Sequence, residues 1–297
     1  MELFCVKPAV HYLETFHAFV EAFALSETDL ILTESVIYDG VLAEEACLRA
    51  HVILKDTYDP SEPTEEAIDA ILRDMEGLEV KRVVAIGGGS VIDIAKLLCV
   101  RDARPIGEII RREREIRLDK TLVAVPTTCG TGSEVTYGGI VTMGDTGYKT
   151  AIIDPLLSAS HAVLIPELLY SLSDRVFLHC SADALGHAME AHVSRTRGNE
   201  MARAAGARAV RLITEGYAEW LLAGGSREAR NRLTGRFLMA SCLGGMAVNN
   251  GGAGPVHALA YPVGETYHMS HGESIYQFLT EVFLHYERTA HGPPLED

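Results

Sequence analysis

The sequence predicts a parallel α/β sheet over residues 1–166 followed by an all-helical domain over 167–297. Three observations carry this. Short β-rich runs alternate with helical periodicity in the first half, glycine-rich turns stand where strands pass into helices, and long helical spacing takes over beyond Pro166. With 297 residues and 47% hydrophobic content, the chain can bury enough core for two domains.

Taken in order, DLILTE, HVILKD and KRVVAIGGGS read as strands, while TEEAIDAILRDMEG and SVIDIAKLLCV carry helical spacing. TLVAVPTT and HAVLIP add strands, and the glycines of the intervening YGGIVTMGDTGYKTAIID suit a hairpin or an irregular excursion. Segments 174–194, 199–223 and 226–248 read as long helices. A cleft between a nucleotide-type sheet and a helical domain is the expected place for a small-molecule site.

The formal charge of −15 disfavours nucleic acid and anionic membrane surfaces, both of which need a basic footprint. No apolar run approaches membrane-spanning length, and MELFCVKPAVHYLETF has no signal-peptide pattern, so a cytoplasmic location is expected. Cys5, Cys47, Cys99, Cys129, Cys180 and Cys242 are scattered, which suits reduced thiols, most of them small core residues.

Two segments could approach a phosphate-bearing ligand. In GGGSVIDIAK, Gly87 to Lys96, the glycines let backbone come close and the following helix offers free N–H groups, with Ser90 expected as N-cap. A tight packing turn is the competing reading. In PTTCGTGSEVT, Thr127, Thr128, Thr131 and Ser133 supply hydroxyls beside two glycines; a plain polar turn competes here too. Glu34, closing LILTE, could accept from ribose hydroxyls and repel a 2′-phosphate, or be a solvated strand end. Lys149 could meet phosphate or lie on the surface.

The strongest chemical signal is one carboxylate with three imidazoles: Asp183 and His187 in SADALGHAMEAH, His257 and His271 in GPVHALAYPVGETYHMSHGES. That donor set suits a divalent transition metal, and four-residue spacing puts the first pair on one helix face. Small neighbours Ala182, Ala184, Gly186 and Ala188 allow close approach of other structure. Glu190 and His192 are displaced from that face and read as supporting or solvated groups.

The ordered series LILTES, DPSEPTEEAID, VVAIGGGSVIDIAK, VPTTCGTGSEVT, SADALGHAMEAHVS and GPVHALAYPVGETYHMSHGE resembles the iron-containing (group III) alcohol dehydrogenase family over nearly the whole chain. The resemblance implies a Rossmann-like dinucleotide-binding domain and a helical metal-binding domain. It implies Asp183, His187, His257 and His271 as metal ligands, with Fe²⁺ expected and Zn²⁺ acceptable to the same donors. It also implies NAD contacts at Glu34, Gly88, Gly89, Ser90, Thr127, Thr128, Thr131 and Lys149. The implied reaction is hydride transfer between NAD(H) and a short primary alcohol or aldehyde, with 4-hydroxybutyrate and succinic semialdehyde favoured. Two departures stand out. Many relatives carry a proton-relay histidine four residues after the third ligand, whereas this chain has Tyr261, with His268 as a candidate substitute. The family also continues through further helices where this chain stops at HGPPLED, so compensating homo-oligomerisation or reduced stability is expected. For a distal substrate carboxylate, Arg175, Asn249 and Asn250 are candidates. The competing readings are a lyase resembling dehydroquinate synthase and a non-catalytic nucleotide-binding fragment.

Overall fold

The computed structural model describes residues 3–43, 45, 49–59 and 63–289. The chain separates into two compact units. One holds Lys7–Thr127 and Ser133–Leu168; the other holds Thr128–Gly132, the helices from Leu169 onward, and the N-terminal residues through Val6.

The first unit is built on β1 (Ala9–Tyr12), β2 (Asp29–Thr33), β3 (His51–Leu54), β4 (Arg82–Gly87) and β5 (Thr121–Pro126), with a β6–β7 hairpin (Gly138–Thr142, Lys149–Ile153) and a final strand β8 (His161–Leu164). The six other strands form a parallel sheet in the order β1-β8-β5-β4-β2-β3, and β6 pairs antiparallel with β7. Strands covered on both faces need no polar alternation, which is why LILT and VVAIG read as continuous apolar runs. The face carrying Leu30, Leu32, Val83, Ala85, Leu122 and Ala124 packs on helices α3 (Glu65–Asp74), α4 (Gly89–Leu98) and α5 (Ile106–Ile110), following α1 (Phe16–Phe23) and the one-turn α2 (Ser35–Ile37) in the chain. Each large aliphatic side chain buried there stabilises the fold by about 1.5–3 kcal/mol.

Sequence periodicity missed β1 and α1. Strand β1 is four residues long and lies at the sheet edge with Val10 and Tyr12 exposed, so it lacks the buried run that marks β2. Helix α1 is short, and its start is set by Thr15, whose hydroxyl accepts from Ala18 N.

The second unit comprises α6 (Asp174–Val193), α7 (Glu200–Leu222), α8 (Arg227–Asn231), α9 (Thr234–Gly251), α10 (Pro255–Tyr267) and α11 (His271–Thr289). Ser173 and Asn199 cap α6 and α7 by accepting from Val176 N and Ala202 N. The expected helix over 226–248 is two helices, because the chain breaks at Arg232–Leu233 while buried Arg230 turns inward to Asp174. Helices α6, α7 and α9 pack on one another, and α10 and α11 pack on α6. Ala184 and Ala188, both fully buried, provide the small surface that such close packing of α6 requires.

Cys5, Cys99, Cys129, Cys180 and Cys242 are free thiols, three of them buried. Cys47 lies outside the described residues. Among the described residues no helix is long and apolar enough to cross a membrane.

Candidate functional site

The helical unit gathers all four proposed ligands. Asp183 and His187 occupy successive turns of α6, His257 lies in the first turn of α10, and His271 is the first residue of α11. The Asp183 carboxylate is the common neighbour: its Oδ1 lies 3.7 Å from His187 Nε2, 3.5 Å from His257 Nε2 and 3.4 Å from His271 Nε2. The His187 and His257 rings stack with centroids 4.4 Å apart. Donors sharing an ion at about 2.0–2.2 Å are separated by about 3–3.5 Å, so this spacing suits a common cation.

Buried polar atoms support the same fit. Asp183 Oδ1 and His257 Nε2 are enclosed without a hydrogen-bond partner within the unit, an arrangement that costs free energy unless something is coordinated there. Asp183, His187 and His257 each offer one ligand atom, and these atoms all lie within 4.8 Å of one another. Burial disfavours the Asp183 charge, yet the imidazoles of His187, His271 and His257 outweigh it and hold the carboxyl well below its usual range. Burial pushes His187 down to about 4, against the attraction of Asp183, so its ring is neutral and able to ligate near neutrality. His271, with a side chain 32% exposed against 4% for Asp183, marks the side from which solvent reaches the group.

Glu190 is one of the supporting groups, and its role is larger than its helix position indicates. Its Oε2 accepts from His257 Nδ1 at 2.5 Å, while the same carboxylate accepts backbone N–H bonds from Gly254 and Val256. These partners lie more than sixty residues away in sequence, beyond any periodicity signal. His192 is structural: its Nδ1 pairs with the Arg203 carbonyl.

The proton-relay candidates separate. Tyr261, on α10, brings its ring to 5.3 Å from the His271 ring. His268 instead is the exposed left-handed C-cap of α10 (φ 52°), donating its backbone N–H to the Gly264 carbonyl. The candidates for a distal carboxylate are engaged as well. Arg175 pairs with Glu273 at 3.1 Å, and Asn250 bonds Cys5 N, Cys5 O and the Met246 carbonyl. Asn249 offers its backbone carbonyl to Arg197.

Within the sheet unit, Gly88, Gly89 and Ser90 sit half-buried where β4 passes into α4. Ser90 is not the N-cap. Gly88 takes that position in extended conformation without a side-chain cap, so Ser90 is the second residue of the helix; Val91 N bonds the Gly88 carbonyl, which leaves the Gly89 and Ser90 N–H groups to face a ligand. Gly87 is obligatory for closeness: a Cβ there would meet Val91 at 2.5 Å. Thr127 follows β5, its N–H bonding the Gly87 carbonyl, which joins the two turns. Thr128 and Thr131 belong to the segment grouped with the helical unit and are half-buried. Glu34 follows β2 and is half-buried; burial raises its pKa, with Asp56 adding and Lys55 opposing. Lys149 starts β7 opposite Thr142.

Two further groups support these turns and went unread in the sequence. Lys96, buried on α4, donates to Asp93, Ser133, Thr136 and the Gly138 carbonyl. Glu134, 1% exposed, has Oε1 unpaired, and burial pushes its pKa up to about 7. The Asp-x-x-Lys spacing on α4 was the available signal for the first, since it puts the two charges on one helix face.

Comparison with known proteins agrees with this architecture. The family described as iron-containing alcohol dehydrogenase matches residues 11–166, and the C-terminal region of the Fe-containing alcohol dehydrogenase family matches 177–293. The chain is 36% identical to 4-hydroxybutyrate dehydrogenase of Clostridium kluyveri over 293 residues, covering 98% of this chain and 78% of that protein. An iron-containing alcohol dehydrogenase structure from Thermococcus thioreducens superposes with a TM-score of 0.81 at 27% identity, covering 97% of this chain and 77% of the other. The fold alone is shared with sulfoacetaldehyde reductase from Bifidobacterium kashiwanohense, solved with NAD⁺: TM-score 0.84, 22% identity, 98% of this chain and 78% of the other. Matched along both of its units, this chain belongs to the iron-containing alcohol dehydrogenase family of oxidoreductases.

Proposed function

We propose that the chain is an NAD(H)-dependent dehydrogenase interconverting a short primary alcohol and its aldehyde, with 4-hydroxybutyrate and succinic semialdehyde as the pair. The observation that carries this reading is the convergence of three imidazoles on the buried Asp183 carboxylate. A divalent cation held by Asp183, His187, His257 and His271, with Fe²⁺ preferred and Zn²⁺ compatible, would supply Lewis acidity to an alcohol or carbonyl oxygen. Substrate choice is supported by the named activity of the 36%-identical relative.

The protein's own groups divide the remaining work. The open first turn of α4, at Gly88, Gly89 and Ser90, offers N–H donors to pyrophosphate. Hydroxyls of Thr127, Thr128 and Thr131 suit phosphate or carboxamide contacts, and Lys149 adds a cation. Glu34 would accept from ribose hydroxyls, favouring NAD over its 2′-phosphorylated counterpart. Tyr261 is the better-placed proton donor, being the relay candidate whose ring approaches His271. An ordinary tyrosine hydroxyl is a weak base near neutrality, so the ring is better suited to giving a proton than to taking one. The sheet unit and the Thr128–Gly132 segment thus serve the dinucleotide, and the helices from α6 onward the metal. The scattered free thiols support a cytoplasmic setting, and the exposed Leu221, Leu222 and Tyr276 support self-association.

The deciding experiment is NADH oxidation by succinic semialdehyde, using protein reconstituted with Fe²⁺ under anoxia alongside chelated protein. Metal-dependent turnover is expected. Full activity in the chelated sample would reject the metal's role, and inactivity despite confirmed metal and NADH binding would reject the substrate. Net accumulation of NADH in the alcohol direction separates a dehydrogenase from a lyase that regenerates its cofactor each cycle.

A further inference from the structure

We propose that Glu190 is the positioning residue for His257, holding the proton on Nδ1 and thereby dedicating Nε2 to a cation beside Asp183. This rests on the metal reading above and adds a determinant to it. Four donors converge on the carboxylate. Val256 N donates to Oε1 at 2.6 Å, Gly254 N to Oε2 at 2.9 Å, His257 N to Oε2 at 3.4 Å and His257 Nδ1 to Oε2 at 2.5 Å. A carboxylate already accepting backbone N–H bonds on both oxygens meets the imidazole as an acceptor, so Nδ1 is the protonated nitrogen. In the neutral ring the lone pair is then left on Nε2, 3.5 Å from Asp183 Oδ1, where a cation takes the place of a second ring proton.

The same carboxylate fixes where the ring stands. Helix α10 begins at Pro255 after an N-cap, Gly254, that has no side chain with which to cap it. Glu190 reaches across from α6 to take the free N–H groups of that first turn, so one group caps α10 and orients the histidine that the turn carries. Gly254 keeps the room for this contact, because a Cβ there would come within 2.8 Å of Glu190 Oε1.

The experiment measures Zn²⁺ affinity of chelator-stripped protein by competition, together with the visible d–d band after Co²⁺ substitution, for wild type, Glu190→Gln and Gly254→Ala. The glutamine keeps the size but can present an N–H to Nδ1, which would shift the ring proton to Nε2. Expected are a fall in Zn²⁺ affinity of about 10–100-fold and a displaced Co²⁺ band. Gly254→Ala should act in the same direction by crowding the carboxylate, and it carries the test if Glu190→Gln does not fold. A folded Glu190→Gln protein with wild-type affinity and an unaltered band, whatever its melting temperature, would show that Glu190 only caps a helix and overturn the inference. Wild-type protein that binds neither metal would overturn the metal reading itself, and the inference with it.

Discussion

The ammonium of Lys96 lies 3.1 Å from Asp93 Oδ1, one turn away on α4, and its side chain has no exposed surface. Its other partners, Ser133 Oγ, Thr136 Oγ1 and the Gly138 carbonyl, tie that helix to the segment leading into β6, while Asp93 also accepts from Ser133 Oγ and Ile140 N. Replacing Lys96 by Met would strand the carboxylate and several acceptors in a closed space. The expected cost is about 3–5 kcal/mol in chemical denaturation. Lys96→Met/Asp93→Asn should cost less than the sum of the single changes, and strict additivity would contradict the coupling.

At the histidine cluster, Asp183→Ala removes the group shared by all three imidazoles, and His271→Ala opens its exposed side. Each should lower bound metal and turnover together, with activity falling at least about 100-fold. Elemental analysis and NADH kinetics on the same preparations make the comparison. Stoichiometric metal retained in both variants would reject the ligand assignment.

Glu134 predicts a pH effect of definite sign. Burial raises its pKa from 4.5 to about 7, so the folded protein holds this proton more tightly than the unfolded chain. The resulting stability is complete below about pH 4.5 and is lost as pH rises through about 7, a total on the order of 3 kcal/mol. Glu134→Gln should therefore gain stability relative to wild type between pH 5 and pH 8. Urea titrations of both proteins at those two pH values check it, and an unchanged difference would contradict the shift.

Glu34→Gly should relax coenzyme choice by removing a carboxylate that would repel a 2′-phosphate. The ratio of kcat/KM for NAD⁺ to that for NADP⁺ is expected to fall about tenfold or more. A ratio unmoved by the substitution would detach Glu34 from the ribose.

The parts of the fold legible in the sequence were those whose burial is complete. Strands β2, β4 and β5 announce themselves as apolar runs because helices cover their faces, whereas the exposed four-residue β1 leaves no comparable mark. At the site, Asp183 and His187 were readable as an i,i+4 pair and His257 and His271 as two further imidazoles of the same donor set, while family resemblance implied that all four act as ligands. Tertiary pairing was the hidden part. Arg175 looks like a free cation in sequence but faces Glu273, and the Asn250 side chain is consumed by Cys5 and Met246. Ser90 looked like an N-cap because its hydroxyl suits that role, yet the helix starts earlier, at a glycine able to sit against the end of β4.

Between α10 and α11 the chain spends only His268, Met269 and Ser270 before His271 begins the next helix, and His268 makes the turn in a left-handed conformation. Any ion gripping His257 and His271 would therefore cross-link the starts of two consecutive helices, α10 and α11, onto α6. Opening of that helix pair would become linked to release of the ion, so amide-exchange protection in α10 and α11 should report metal occupancy without any substrate being present.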